Sequence, residues 1–114
     1  MELDRASFEA LVEDALDQIP EEIAGLVRNV VVLVEDDPPA DEPDLLGVYE
    51  GVSLTERTTD HTGLPDRITV FRRPLLELCE TPDELVREVR ITVVHEIAHH
   101  FGIDDDRLHD LGYG

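Results

Sequence analysis

Two histidines stand four residues apart in the stretch VVHEIAHHFGIDDDRLHD, residues 93–110, and a glutamate directly follows the first. On a helix, residues four apart share a face, with Cβ atoms about 5–6 Å apart, so His95 and His99 can bind one metal ion together. Glu96 is turned by about 100° from His95 and can lie beside a metal-bound water without ligating the metal. This is the HExxH arrangement, in which two histidines hold zinc and the glutamate acts as general base. Background frequencies would produce it in a chain of this length on the order of a few times in a thousand, so chance is the weaker account. The rival reading is a pair of solvated histidines on a surface helix. It is disfavoured because Val93, Val94, Ile97 and Ala98 surround the motif with apolar groups, which gives a metal a dry, rigid platform.

A catalytic zinc site needs a third protein ligand and an open position for water. Gly102 lets the chain leave the helix in a left-handed conformation and turn back. Asp105, three residues further on, is the favoured third ligand and completes the pattern HExxHxxGxxD. Asp104, Asp106 and His109 compete with it, and an acidic tripeptide is also a good N-cap for a following short helix. In such a site zinc acidifies its water, and Glu96 takes the proton and passes it to the leaving amine. A further donor for the oxyanion would come from Tyr113, His109, His61 or Tyr49, and the sequence does not choose among them. His100 lies off the ligand face and reads as a supporting or surface group. Cys79 reads as a small buried hydrophobe.

The elements that must position these groups follow from apolar spacing. The segment TPDELVREVRITVVHEIAHHFG predicts a helix over about 82–101. Thr81 is its N-cap, Pro82 its first residue, Glu84 the partner in a capping box and Gly102 its C-terminal stop. Its buried stripe is Val86, Val89, Val93, Ile97 and Phe101, with Val94 and Ala98 beside it. Residues 7–19 form an amphipathic helix with Ser7 as N-cap, ended by Pro20, and PEEIAG opens a further short turn. VRNVVVLVED, 27–36, reads as a strand buried on both faces. The acidic, proline-rich 36–44 is an exposed loop. Residues 45–54 make a short strand broken by Gly47 and Gly51, and 55–66 carry turn chemistry. DRITVFRRP, 66–74, is a strand with Ile68 and Val70 on one face and Thr69 and Phe71 on the other. Pro74 closes it and suggests an edge. Residues 74–79 make one or two helical turns, and 104–111 a last short helix. The order predicts an α+β fold, a small mixed β-sheet packed with helices, as a single domain over 1–114.

The chain carries 28 acidic residues against 9 basic ones, all arginine, for a net charge of −19. That balance disfavours nucleic acid and anionic membranes as partners. Solubility or adaptation to salt is the plain account of it; steering of basic substrates or a basic partner is the sharper one. One cysteine excludes an intrachain disulfide. The start, MELDRASFEA, lacks the basic and apolar regions of a secretory signal, and the run VVVLV is too short to span a bilayer, so a cytoplasmic protein is expected.

HExxHxxGxxD resembles the elongated motif of zincin metallopeptidases, with aspartate in place of the third histidine of the metzincins. The length, the acidity and the ending HEIAHHFGIDDDRLHDLGYG resemble the minimal zincin-like family of bacteria, short acidic single domains. The resemblance implies a zinc metallopeptidase acting on a peptide or protein. It also implies a small sheet under the HExxH helix, with an edge strand that pairs with an extended peptide; 66–72 is the candidate. The chain departs from the larger zincins. Its one methionine is Met1, so the Met-turn is missing, and only nine residues follow Asp105. The alternative expectation is therefore a zinc-binding regulatory or interaction module without significant turnover. A metal-dependent endoribonuclease ranks last, because the similar rRNA-processing pattern has glycine where Glu96 stands and the charge opposes RNA. Peptide deformylases need a cysteine ligand in a motif that LELCETP does not resemble.

Overall fold

The structure is a computed structural model that describes residues 1–26, 30–51, 65–110 and 112. The elements run α1 (Arg5–Asp17), α2 (Glu21–Ala24), β1 (Val30–Glu35), β2 (Gly47–Glu50), β3 (Asp66–Phe71), α3 (Arg72–Leu78), α4 (Pro82–His100) and α5 (Asp105–Asp110). The fold is α+β, as expected, with a mixed sheet of order β1-β3-β2. β1 runs parallel to β3, with Val30 opposite Asp66 and Glu35 opposite Phe71. β2 runs antiparallel to β3, with Gly47 opposite Val70 and Tyr49 opposite Ile68.

Two strand readings are corrected. β3, expected at an edge, is the central strand: Ile68, Val70 and Phe71 are all buried. The edges are β1 and β2, so an extended peptide joining this sheet would meet one of those, not 66–72. Pro74, which suggested the edge, lies in the first turn of α3, where a missing N–H breaks no helical bond. β1, expected to be buried on both faces, is buried on one. Val34 is covered while Val31 and Leu33 are 39% and 42% exposed. Residues 27–29 of that expected strand lie outside the described residues, as do 52–64, including most of the turn-rich segment.

The core lies between the sheet and the helices. α4 packs against α1 on one side and against β2 and β3 on the other. Phe8, Val12 and Ala15 from α1 meet Ile68 and Val70 from β3 and Leu85, Val89, Val93, Val94, Ile97 and Ala98 from α4. α1 begins earlier than expected because Asp4, not Ser7, is its N-cap; the Asp4 carboxylate accepts the Ser7 N–H at 2.8 Å. That bond to the Ser7 backbone holds the Asp4 carboxyl below its ordinary range. Cys79 is buried, and burial pushes its thiol up.

The approach of α4 to the sheet depends on a small residue. A Cβ placed on Gly47 would lie 2.8 Å from Thr92 Cγ2 and 3.1 Å from the Thr69 carbonyl oxygen.

Candidate metal centre

The helix that carries the motif forms as its caps require. Thr81 Oγ1 accepts the Glu84 N–H at 3.2 Å, and Pro82 stands at the start. The returning half of the capping box is displaced by one residue: the Glu84 carboxylate accepts from the Glu80 N–H, also at 3.2 Å. At the other end Gly102 adopts φ +72°. The Ile103 N–H reaches the Ala98 carbonyl at 2.8 Å and the Gly102 N–H reaches that of His99 at 3.3 Å, the pair of bonds that defines a Schellman stop. Half-buried Ile103 packs on the core and fixes the turn.

Two details of the expected stripe change. Leu85 is fully buried, Val86 only half so, and Phe101 is 43% exposed. Phe101 has passed the end of the helix, so the 3.6-residue period no longer carries it inward.

His95 and His99 lie on one face with ring centroids 6.2 Å apart and planes 25° apart. His95 is half-buried and His99 exposed. Glu96 is half-buried. Burial pushes its carboxyl above the ordinary glutamate range; the two imidazoles and the nearby Tyr49 backbone pull the other way. Partial burial thus raises the proton affinity of this carboxylate.

The third donor is not gathered. Among the described residues no group of three His, Cys, Asp or Glu side chains stands close enough to hold one ion. Asp105 lies in the exposed first turn of α5. Asp104 is committed as the cap of that helix: its Oδ1 accepts the Arg107 N–H at 2.9 Å. Asp106 and His109 are exposed on α5. Two imidazoles at this spacing are donors of the type zinc takes, and no third donor stands with His95 and His99 among the described residues. Of the candidate oxyanion donors, His61 and Tyr113 lie outside the described residues. The Tyr49 hydroxyl donates a hydrogen bond to Asp66 Oδ2 at 2.5 Å. Sequence reasoning singled out neither that bond nor the His100 ring stacked on Tyr49, with centroids 4.0 Å apart. The period-2 alternation of GVYE, which puts Gly47 and Tyr49 on one face, was the available signal.

A family model described as zincin-like metallopeptidase matches residues 27–114. The chain belongs to the zincin-like metallopeptidase family. The match takes in the whole sheet and the motif helix and leaves α1 and α2 outside. Among solved structures, a conserved hypothetical protein from Thermo thermophilus is similar in fold, with a TM-score of 0.56 at 24% identity over 87% of this chain and 94% of that one. No curated protein matches the chain significantly. Family membership makes it a metallopeptidase relative in general terms. No described helix is long and apolar enough to cross a membrane.

Proposed function

We propose that this chain is a zinc-dependent peptidase whose metal is held by His95 and His99, with Asp105 as third donor, and whose general base is Glu96. The observation that carries the reading is the half-buried Glu96 carboxylate on the same helix as two imidazoles whose rings face each other. Zinc, when bound, supplies an acidified water and a Lewis acid for the scissile carbonyl. Glu96 draws the proton from the attacking water, holds it in a partly desolvated carboxyl and gives it to the leaving amine. The substrate is a peptide or protein. The net charge of −19 favours basic segments and disfavours nucleic acid and anionic membranes.

The test loads the purified chain with zinc, counts metal per chain, and reads cleavage of a diverse peptide library by mass spectrometry beside Glu96→Ala. Wild type is expected to cut and the variant to keep its zinc without cutting. Equal cleavage by both would remove Glu96 from the chemistry. Absence of cleavage from the fully loaded wild type would favour the second reading, a zinc-binding interaction module without turnover. That reading draws support from the gathering of two donors rather than three among the described residues.

A further inference from the structure

β1 is the longer of the two strands at the edges of the sheet, six residues against four in β2. Its pairing decides which backbone groups it turns outward. The Phe71 N–H donates to the Leu46 carbonyl at 2.9 Å, so Arg67, Thr69 and Phe71 face β2, and the alternate residues Asp66, Ile68 and Val70 face β1. Their Cα partners on β1 are Val30, Val32 and Val34. In a parallel ladder a residue bonds to the two neighbours of its Cα partner. Val31, Leu33 and Glu35 therefore turn their backbone groups to β3, and Val30, Val32 and Val34 turn theirs out of the sheet. The Val34 carbonyl agrees with that phase: it accepts a hydrogen bond from the Arg5 guanidinium of α1. Arg5 closes the C-terminal end of the edge, and no described strand pairs with the outer side of Val30 or Val32.

The side chains beside this edge form a groove of about 510 Å³ between α1 and β1. Val12, Leu16, Val30 and Val32 give it an apolar lining, and Glu9 and Glu13 stand on its helix side. Arg5 answers Glu9 at 3.0 Å. No ion pair joins Glu13 or Glu35 to a base among the described residues. On the opposite face of β1, Val31 and Leu33 are exposed next to exposed Glu35. Edge strands are commonly protected from further pairing by charged residues or proline. VVVLV, 30–34, contains neither.

We propose that the outer edge of β1 is a docking site for an extended segment of a basic partner protein, which adds to the sheet as a further strand. Val30 and Val32 supply the backbone bonds. Side chains on one face of the segment enter the α1 groove, and those on the other cover Val31 and Leu33. Arginine or lysine among them meets Glu13 and Glu35. Charge decides the occupant: a second copy would bring another −19 to the same edge, whereas a basic segment neutralises the carboxylates. Docking there needs neither metal nor turnover, because α4 packs on β2 and β3 and β3 stands between β1 and β2.

Fluorescence anisotropy reads the docking, with a labelled peptide of alternating valine and arginine titrated with the purified chain. A valine–glutamate peptide of equal length is expected to bind at least about tenfold more weakly. Val32→Pro deletes an outward N–H and leaves the bonds to β3 in place; it should weaken binding about fivefold or more. Glu13→Arg, at an exposed position of α1, should weaken it by a similar factor and decides the matter where the proline variant does not fold. In the peptide complex, residue-resolved amide exchange should slow at Val30 and Val32 and stay unchanged at Leu33, which faces β3. Glu96→Ala should bind the peptide as wild type does. Failure of the arginine peptide to bind, equal binding of the glutamate peptide, or unchanged exchange at Val30 and Val32 would overturn the docking site. Binding lost in Glu96→Ala would put the peptide at the metal centre and overturn it as well. A dimer of the chain alone in analytical ultracentrifugation, dissociated by Val32→Pro, would make a second copy the occupant and overturn the basic partner.

Discussion

The two ends of α4 do opposite things with the same kind of helix. At the N-terminal end Thr81, Pro82 and the acidic pair Asp83 and Glu84 satisfy and charge-match the first turn, and Leu85 and Val89 are completely buried. At the C-terminal end the inward face is still apolar, through Val93, Val94, Ile97 and Ala98, but the outward face carries His95, Glu96, His99 and His100. The first end spends its polar groups on its own termination. The second directs them to neighbours and to solvent. A continuous apolar stripe beneath lets the helix carry polar chemistry at one end without losing its place in the core. The imidazoles near the C-terminus also sit where the helix dipole favours positive charge or metal.

That contrast can be broken most forcefully at its anchored end. Leu85→Ala should cost about 2–5 kcal/mol in denaturant unfolding, because it opens a cavity under a fully buried side chain. A loss near zero would mean that the N-terminal half of α4 is not the anchor. Thr81→Ala removes the cap and should cost about 1 kcal/mol in the same measurement.

At the chemical end the expected effects are smaller and of different sign. Glu96 has its carboxyl raised by burial, so in the zinc-free chain its contribution to the folded state is complete at pH below the ordinary glutamate range. That contribution is lost as pH rises through its raised value. Glu96→Gln should therefore melt slightly higher than wild type at neutral pH, the difference closing on acidification; a lower melting temperature at neutral pH would show that the charged form is well solvated. His99→Ala, at an exposed position, should change zinc-free stability by less than about 0.5 kcal/mol while weakening zinc binding in a competition titration with a chelator. A large loss of zinc-free stability would make His99 a structural residue instead.

The same contrast explains what could be read from the residue string. α4 was legible to within a residue or so because its caps are local: Thr81, Pro82 and Gly102 act through neighbours one to five positions away. The HExxH face was legible for the same reason. Strand order was not. Val31, Leu33, Ile68 and Val70 are equally apolar, and only pairing across more than thirty residues decides that β3 is central and β1 is an edge. At α1 both Asp4 and Ser7 are good caps, and the donor–acceptor relation between them made the earlier one win. The third metal donor was favoured on spacing, but spacing cannot say how far the turn after Gly102 swings Asp105. The Tyr49 contacts with Asp66 and His100 were not legible, because each joins residues far apart in the chain.

Gly47 gives the sheet and helix their separation. Because Thr92 fills the space where its side chain would stand, the height of α4 above β2 is set by a missing methyl group. Glu96 lies about one turn further along the same helix. Adding that carbon by Gly47→Ala would work as a wedge under a rod: the tilt it forces at Thr92 is carried to the carboxylate. The spacing of the chemistry is thus tuned from beneath, by an atom that is not there.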